Sequence, residues 1–340
     1  MSPTINDVAA KVGVSPATVS KALNDRPGVS SQTRERVLRA AQELDYSPSI
    51  AARSLATART YNVGYVGYKY GSVLPPDLRP GTVAAGTLEG IDEELTRHGY
   101  HMLTTYVDRE AMKSPDTLNM VRQNRVDGLI LNGPSFRPRF ILQLQSTGIP
   151  IVLVDNLLNE TAIDCVLCDN EDGAYQAVKH LIEHGHEHIV FLSGPADWLS
   201  SRERAAGYRR ALHESGFNPH IVFMPNTIVE TGRQAMFTAL EEYPNLTAVM
   251  AVNDATAVGA IQACRQVGRA VPHDIAVVGF DDESWAQIHT PPLTTVHVPW
   301  HEIGIQAARR VMSLIERNHR VPIQMRLSVE LVIRQSCGCP

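Results

Sequence analysis

Residues 4–24 read TINDVAAKVGVSPATVSKALN, and this stretch decides the fold of the amino-terminal part of the chain. Thr4 precedes apolar residues at helical spacing, and Gly13 interrupts that spacing. Ser15 and Pro16 then favour the start of a second helix, because a serine side chain caps backbone N–H groups and a proline fits the first turn. The stretch therefore predicts two short helices joined by a tight turn, which is the pattern of a helix-turn-helix.

A third helix is expected to follow this pair. Ser30 is a candidate cap, and Val37, Leu38, Ala41 and Leu44 recur on one face of a helix. Three short helices in this order form a bundle that presents its second helix outward, where it can enter the major groove of DNA.

Charge is distributed unevenly along the chain. Residues 1–60 contain eight Lys or Arg and five Asp or Glu, a net charge of +3, so the remainder carries −8 of the total of −5. A small basic module attached to an acidic body is typical of a nucleic-acid-binding protein. A solvated basic face would give the same balance, so the charge alone does not decide the function.

Bulk composition excludes several classes of protein. The chain has 340 residues, of which 44% are hydrophobic and 20% charged, an ordinary globular composition with room for two or three domains. No run approaches the roughly 18 apolar residues of a membrane-spanning helix. The first residues contain neither the basic nor the apolar segment of a secretion signal, which predicts a cytoplasmic protein without a membrane partner.

From Tyr61 onward, strand-like and helix-like runs alternate. This alternation predicts parallel β-sheets covered by helices, in an α/β fold with two lobes and a binding crevice at the carboxyl ends of the strands. The strand-like runs are Asn62–Val66, His101–Thr105, Gly128–Leu131, Ile149–Val154, His188–Leu192, Ala248–Val252 and Asp274–Phe280, and helices are expected at Glu171–His184, Arg204–Ser215 and Thr256–Val267.

The amino-terminal stretch resembles the head of the lactose-repressor (LacI/GalR) family, and the likeness continues through Thr33–Val37 and Leu44–Pro48. The resemblance implies that Pro16, Ala17 and Lys21 read bases. Pro16 and Ala17 offer only apolar contact, for example to a thymine methyl group, whereas Lys21 can donate a hydrogen bond to guanine O6 or N7.

The resemblance also assigns a set of polar side chains to the DNA backbone. Phosphate contacts fix the register of a protein on DNA without reading its sequence. Helix capping is the alternative role for the hydroxyl groups and is compatible with the first. The residues are Thr4, Ser15, Thr18, Ser20, Asn24, Ser30 and Thr33.

A short Ala-rich segment, residues 49–57, follows the head. In the family, the corresponding segment is a hinge helix that forms on operator binding, pairs with its dimer mate and inserts a leucine into the minor groove. Leu55 matches that leucine, whose insertion would unstack and bend the duplex. Ordinary linker packing of Leu55 is the alternative.

The likeness extends over the rest of the chain, through segments such as Val126–Ile130, Ile149–Asp155 and Val278–Asp282. It implies an effector domain with the type I fold of periplasmic binding proteins. The expected division is a three-helix helix-turn-helix head at 1–47, a hinge helix and linker at 48–60, and an effector-binding and dimerisation domain at 61–340. Its N-lobe would comprise about 61–162 and 292–322, and its C-lobe about 163–291 and 323–340.

The resemblance implies that five polar residues face the effector: Asn132, Asp155, Arg202, Asn253 and Asp281. Carboxylate, amide and guanidinium groups match the donors and acceptors of vicinal hydroxyls, which suits a sugar or a nucleoside. A structural ion pair between Asp and Arg across the lobes is the alternative.

Two tryptophans have two interpretations. Trp198 lies near Arg202, and Trp300 follows the second crossover between the lobes. Each indole is suited to stacking on the face of a pyranose ring and equally to packing in a core.

Together these features predict a sequence-specific transcriptional repressor. It would bind a palindromic double-stranded DNA operator as a homodimer, because two-fold protein symmetry imposes two-fold operator symmetry. A small-molecule effector, expected to be a carbohydrate, would control its operator affinity. No cofactor or metal is expected, and the final residues lack the heptad repeat of a tetramerising coiled coil.

Two other classes of protein remain as alternatives. A solute-binding protein shares the two-lobed fold but has no DNA-binding head. An enzyme is disfavoured because His180, His184, His186 and His188 lack the order of a metalloprotease motif, and Asp281-Asp282 lacks a nucleophile.

Two pairs of cysteines lie at the short spacings common in metal sites. Cys165 and Cys168 fall on a strand-like run, where residues three apart point to opposite faces, a poor geometry for one metal ion. Cys337 and Cys339 lie near the chain end. Buried, unreactive thiols are expected.

Overall fold

A computed structural model describes residues 3–23, 27–46, 57, 59–69, 82–158, 162–316 and 321–338, with the side chains of 82–84 left out. The chain divides into two units, Met1–Thr60 and Tyr61–Pro340. Each unit has a hydrophobic core within its own residues.

The first unit contains the three predicted helices: α1 (Ile5–Val12), α2 (Pro16–Leu23) and α3 (Ser31–Glu43). Their apolar faces meet in a small core that includes Val8, Val19 and Val37, each fully buried. Arg36 fastens α3 to the end of α1, because its Nη2 donates to the Val12 carbonyl at 2.7 Å.

Gly13 ends α1 as the sequence predicts. Its φ of +73° lies in the left-handed region, and its N–H donates to the Ala9 carbonyl at 2.9 Å. The Val14 N–H donates to the same carbonyl at 3.1 Å. A residue with a Cβ is strained in this conformation, so glycine permits the sharp turn that leads into α2.

The second unit begins with a six-stranded parallel sheet, which with its helices forms the first lobe. Its strands lie in the order β11-β5-β4-β3-β1-β2. They are β1 (Asn62–Tyr68), β2 (His101–Val107), β3 (Gly128–Asn132), β4 (Ile151–Val154), β5 (Asp164–Cys168) and β11 (Gln324–Leu327), and the accompanying helices are α4 (Thr82–Arg97), α5 (Asn119–Arg122), α6 (Pro138–Gln145) and α12 (Trp300–Glu316), with 3₁₀ turns at Ala111–Lys113 and Pro115–Thr117.

The second lobe is built on a four-stranded parallel sheet in the order β7-β6-β8-β9. A short antiparallel pair, β10 (Thr295–His297) with β12 (Glu330–Val332), accompanies the chain crossings between the lobes. The remaining elements are β6 (Ile189–Ser193), β7 (His220–Phe223), β8 (Ala248–Ala251), β9 (Ala276–Val278), α7 (Asn170–Glu183), α8 (Leu199–Glu214), α9 (Val229–Glu242), α10 (Asp254–Gln266) and α11 (Ser284–Ile288).

The predicted alternation of strands and helices is confirmed, but the division between the lobes differs from the expected one. Residues 163–168 and 323–327 were expected in the C-lobe, whereas β5 and β11 both belong to the sheet of the first lobe. The side chain of Arg310 on α12 fixes β5 there, because its Nε donates to Asp164 at 2.5 Å. A strand that is buried on both faces does not reveal from its sequence which of two parallel sheets it joins.

Among the described residues, no helix is long and apolar enough to cross a membrane.

Candidate DNA-binding and effector-binding sites

The second helix of the head presents a narrow exposed face. Pro16, Ala17 and Lys21 are exposed, whereas Val19 and Ala22 on the opposite side are buried in the core of the head. At 3.6 residues per turn, the three exposed positions fall on one side of α2. The structure therefore brings together the three side chains that the sequence analysis assigned to base reading.

Within the described part of the head, no ion pair engages Lys21. Lys11, by contrast, pairs with Glu43 at 2.7 Å on another side of the bundle. Lys21 is exposed, and Lys11 provides a matched lysine whose charge has a local partner.

The hydroxyl groups of the head make capping contacts. The Ser15 and Ser30 Oγ atoms accept hydrogen bonds from the backbone N–H groups of Thr18 and Thr33, each at 3.2 Å. The Thr4 hydroxyl donates to the Asp7 carboxylate at 2.7 Å. Both serine caps are exposed residues at helix N-termini, where a phosphate can also bind. Asn24 and Leu55 lie outside the described residues.

The polar residues of the second unit gather where parallel strands end. Asn132 is the last residue of β3, Asp155 follows β4, Asn253 follows β8, and Asp281 lies shortly after β9. Ligands of open α/β sheets bind beyond the carboxyl ends of the strands, and the region beyond these four strand ends is called the cleft from here on.

Asp155 carries a buried atom with no partner. Its Oδ1 accepts no hydrogen bond from any described residue. Burial raises the pKa of this carboxyl from 3.8 to about 7, with Arg204 opposing the rise and the negative charges of Asp281 and Glu203 adding to it. Its φ of +53° is in the left-handed region, a strained backbone that is common at functional sites. Asp155 thus combines a buried oxygen without a hydrogen-bond partner among the described residues, a raised pKa and a left-handed backbone.

Arg204 and Asp281 form a buried pair in the second lobe. The Arg204 Nη2 lies 3.2 Å from the Asp281 Oδ1, and both side chains are less than a tenth exposed. The guanidinium also lies over the ring of Phe280, 3.7 Å from the ring centroid, and donates to the Val252 carbonyl. Burial raises the pKa of Asp281, and the adjacent Arg204 limits that rise.

Arg202 lies on the exposed side of α8, apart from the buried Arg204–Asp281 pair. It is exposed, its Nη1 donates to the Asp197 carbonyl at 2.6 Å, and it lines an open cavity of about 180 Å³ between the lobes. Two residues on a helix point about 200° apart, so Arg204 faces the buried side of α8 when Arg202 faces solvent. The Arg–Asp pair is real, but it lies within the second lobe and uses Arg204.

Trp198 and Asn253 both lie near Thr227 and Gly194 in the second lobe. Asn253 caps α10, since its Oδ1 accepts from the Thr256 N–H at 2.9 Å, and its Nδ2 donates to the Thr227 carbonyl at 3.1 Å. A Cβ at Gly194 would lie 2.8 Å from Thr227 Cγ2 and 3.9 Å from Trp198 Cε3. Trp198 is half-buried, so part of its ring is accessible.

Asn132 and Trp300 belong to the first lobe. The Asn132 Nδ2 donates to the hydroxyl of Tyr65 at 2.8 Å, which fixes the orientation of the amide. Trp300 is 9% exposed and packs in the main core cluster, yet its Nε1 is buried without a hydrogen-bond partner among the described residues. Trp300 therefore packs in the core, as one of its two interpretations predicts, and its indole N–H has no hydrogen-bond partner among the described residues.

The histidine and cysteine clusters show no metal-binding arrangement within the described ranges, where no three His, Cys, Asp or Glu side chains converge. Cys165 and Cys168 are buried in different core clusters, on opposite faces of the sheet as predicted. Burial raises the pKa of the Cys165 thiol to about 11. His180 and His184 pack ring to ring at 4.4 Å between centroids.

Sequence reasoning missed four residues of this site: Arg204, Glu203, Asn170 and Tyr65. A signal for Arg204 was present, because Ser201, Arg204, Ala205 and Tyr208 recur at helical spacing on the buried face of α8. Nothing comparable marks Tyr65 or Asn170, whose roles depend on strand register and on contacts between distant segments.

A helix-turn-helix head with an exposed face on its second helix, joined in sequence to a two-lobed domain with charged residues at the strand ends, defines a ligand-responsive DNA-binding regulator. Residues 4–49 match the model of bacterial regulatory proteins of the lacI family, and residues 178–337 match the periplasmic binding protein-like domain. The chain belongs to the lacI family of bacterial regulatory proteins, and it is a DNA-binding regulator of transcription.

Similar proteins span nearly its whole length. It is 31% identical over 338 residues to the transcriptional repressor PurR of Aliivibrio fischeri and 32% identical to the regulator CelR of Thermobifida fusca, with 98% of each chain covered. Among solved structures, a lac repressor dimer bound to operator and the anti-inducer ONPF superposes with a TM-score of 0.80 at 28% identity, covering 99% of both chains. A CelR–cellobiose complex gives 0.74 at 30% identity, covering 98% of this chain and 99% of that one.

Proposed function

We propose that this protein is a homodimeric repressor that binds a palindromic operator and changes its operator affinity when a sugar or a nucleoside occupies the cleft. The observation that carries the proposal is the buried, unpartnered Asp155 Oδ1 in the field of the Arg204–Asp281 pair. The names of relatives support it, since one is a cellobiose complex and another a repressor dimer on its operator.

The ligand chemistry follows from the cleft groups. A hydroxyl both donates and accepts, so one hydroxyl of a vicinal pair can donate to Asp155 while the next accepts from Arg204. Asn132 and Asn253 supply amides on either lobe, and the accessible part of Trp198 suits the apolar face of a pyranose ring. Trp300 contributes the indole N–H that has no partner among the described residues.

The remaining assignments belong to the same proposal. Pro16, Ala17 and Lys21 read bases, and Leu55 enters the minor groove from the hinge at 48–60. The protein acts in the cytoplasm, where chromosomal DNA lies, and performs no catalysis. The phosphate contacts come from Thr4, Ser15, Thr18, Ser20, Asn24, Ser30 and Thr33, and the domain division is 1–47, 48–60 and 61–340, with β5 and β11 counted in the first lobe.

A thermal-shift screen tests the proposed ligand class. The panel contains monosaccharides, cellobiose and other disaccharides, purine bases and nucleosides. A ligand at a hundred times its Kd stabilises the folded protein by about 2.7 kcal/mol, which gives a clear shift. No shift from any member of the panel would contradict the sugar or nucleoside assignment. Ligand binding by a protein with no affinity for DNA would instead favour the solute-binding alternative.

Replacing Lys21 with alanine is expected to relax the preference for one base pair in each operator half-site. Loss of a specific base contact removes about 1–3 kcal/mol of discrimination, that is roughly five- to 160-fold. The measurement is binding to a set of operators selected from a random library and varied at each position. Lys11→Ala is the matched control, because Lys11 is paired with Glu43. Uniform weakening on every sequence would show that Lys21 contacts only phosphate.

Replacing Leu55 with alanine is expected to reduce DNA bending and lower specific affinity, with non-specific affinity little changed. The reason is that a leucine wedge stabilises a bent duplex that contacts more protein. A gel-phasing assay measures the bend angle. An unchanged angle would refute the minor-groove assignment.

Effector affinity is expected to rise about tenfold between pH 6 and pH 8. The pKa of Asp155 is raised to about 7, and a ligand hydroxyl that donates to this carboxyl favours the ionised form. The folding stability changes with pH in the opposite direction to the effector affinity. Because the pKa of this carboxyl lies above its ordinary 3.8, it contributes stability at low pH that is lost as the pH rises through about 7. Calorimetric titration of the best ligand at both pH values measures the effect.

Asp155→Asn is the control for this pH dependence, since an amide does not titrate in this range. The variant should bind with an affinity that changes little between pH 6 and pH 8. A tenfold rise that persists in Asp155→Asn would assign the titration to another group.

A further inference from the structure

A chain of hydrogen bonds connects the cleft to the boundary between the lobes. At its outer end, the Nη2 of Arg326 on β11 lies 2.5 Å from the Oε1 of Glu203 on α8. Strand β11 belongs to the sheet of the first lobe, and α8 belongs to the second lobe. The pair therefore joins the two lobes, whereas Arg310–Asp164 and Arg210–Glu171 each join elements of one lobe.

Asn170 is the middle of the chain. It is fully buried and opens α7, directly after the chain leaves β5 for the second lobe. Its Nδ2 donates to the Oε2 of Glu203 at 3.0 Å, and its Oδ1 accepts from the Nε of Arg204 at 2.8 Å. Because the amide bridges an anion and a cation, turning it over would place its N–H groups toward Arg204 and its oxygen toward Glu203. Its orientation is therefore tied to both charges.

The inner end of the chain is the cleft itself. Arg204 bonds Asn170 through Nε and Asp281 through Nη2, so any ligand that displaces the Arg204 guanidinium also removes the donor to the Asn170 Oδ1. The segment in which the chain passes from β5 to α7 is hydrogen-bonded to β11, the strand that carries Arg326, because the Asp169 N–H donates to the Leu327 carbonyl at 2.9 Å. Asn170 therefore lies close to both partners of the Arg326–Glu203 contact between the lobes.

We propose that Asn170, Glu203 and Arg326 form a polar relay through which the occupancy of the cleft biases the angle between the two lobes. These are positioning residues: Asn170 and Glu203 act on the ligand through Arg204, and Arg326 acts through Glu203. The inference rests on the proposed function only in taking the cleft as the effector site. Energetic coupling through such a chain is reciprocal, so breaking the outer pair must alter the response to a change at the inner end.

The test measures the distance between the lobes in the full-length protein without any ligand. Spin labels are attached at Gln123→Cys in the first lobe and Glu241→Cys in the second, both exposed positions, with Cys339→Ser to remove a competing thiol. Labelled protein is diluted with unlabelled protein so that only distances within one chain are recorded. The populations of interlobe distances are compared at low salt and in 1 M NaCl, which weakens partly exposed ion pairs such as Arg326–Glu203.

Arg326→Gln is expected to shift the ratio of the interlobe distance populations by about fivefold and to remove most of their dependence on salt. Arg210→Gln is the matched control, because Arg210 is as exposed as Arg326 (41% against 40%) but its partner Glu171 lies in the same lobe. It should behave like the wild type. Arg326→Lys should restore part of the wild-type distribution, and Glu203→Gln provides a second way to break the pair if Arg326→Gln does not fold.

A double-mutant comparison tests the relay as opposed to a local contact. Asp281→Asn, at the inner end, should shift the distance distribution in the wild-type background and leave it unchanged in the Arg326→Gln background. Equal shifts in both backgrounds, or an Arg326→Gln distribution identical to the wild type, would overturn the proposal. Failure of the sugar and nucleoside screen would leave this result standing, because no ligand enters the measurement.

Discussion

Replacing Arg204 with methionine is expected to abolish binding of any sugar or nucleoside found in the screen, with a loss of about a hundredfold or more in affinity. The Arg204 guanidinium is buried and is held by Asn170, the Val252 carbonyl and Asp281. Without it, the Asp281 carboxylate stays buried with no cation beside it. Loss of one partner of a buried pair also lowers the free energy of unfolding by about 3–5 kcal/mol. Calorimetric titration and urea denaturation measure the two effects.

Arg202→Met is the matched control, two residues earlier on the same helix. Its side chain is exposed and donates to a loop carbonyl, so we expect affinity within about threefold of the wild type and stability within about 0.5 kcal/mol. If Arg202→Met loses binding while Arg204→Met keeps it, the assignment of the cleft cation to Arg204 is wrong.

The second large effect is expected for Gly90→Ala, which should lower the free energy of unfolding by about 3 kcal/mol. Helices α4 and α12 cross at Gly90 so closely that a Cβ there would lie 2.0 Å from the His301 carbonyl oxygen and 3.1 Å from the Ile305 nitrogen. Both neighbours are backbone atoms, so the helices must separate to admit a methyl group. Urea denaturation followed by circular dichroism measures the change.

Gly86→Ala, one turn earlier on α4, is the control for this crossing. A Cβ there would lie 3.3 Å from Trp300 Cβ, a tight contact that a small adjustment relieves. Alanine also favours the helix by about 0.5–1 kcal/mol over glycine, so the net change should be below about 1 kcal/mol. Equal destabilisation by both substitutions would show that helix propensity, and not the crossing, governs stability at these positions.

Much of the fold could be predicted from local patterns. Thr4, Ser15 and Ser30 mark three helix starts to the residue, because caps and turn glycines are short-range signals. The central strands were also recognisable from their apolar runs. Lobe membership was not, since β5 and β11 pair across 159 residues of sequence and β5 is held by a contact of Asp164 with Arg310 on the distant helix α12.

In the cleft, likewise, residues marked by local sequence patterns could be predicted, whereas residues that depend on contacts distant in sequence could not. Positions that follow strands, such as Asp155 and Asn253, can be predicted because strand ends are visible in the sequence. The choice between Arg202 and Arg204 requires the exact rotation of α8, which a two-residue error reverses. Asn170 and Tyr65 act through contacts with segments more than 30 residues away, and no spacing in the sequence announces those contacts.

We propose that ligand binding in the cleft controls the affinity of the protein for its operator. The most direct measurement is a fluorescence-anisotropy titration of the full-length protein on a palindromic site selected from random DNA, with and without the best stabilising sugar or nucleoside at constant salt. The operator Kd is expected to change by at least about fivefold, an effect that Arg204→Met abolishes and Arg202→Met retains. A ligand that stabilises the protein yet leaves the operator Kd unchanged would show that occupancy of the cleft does not control DNA binding.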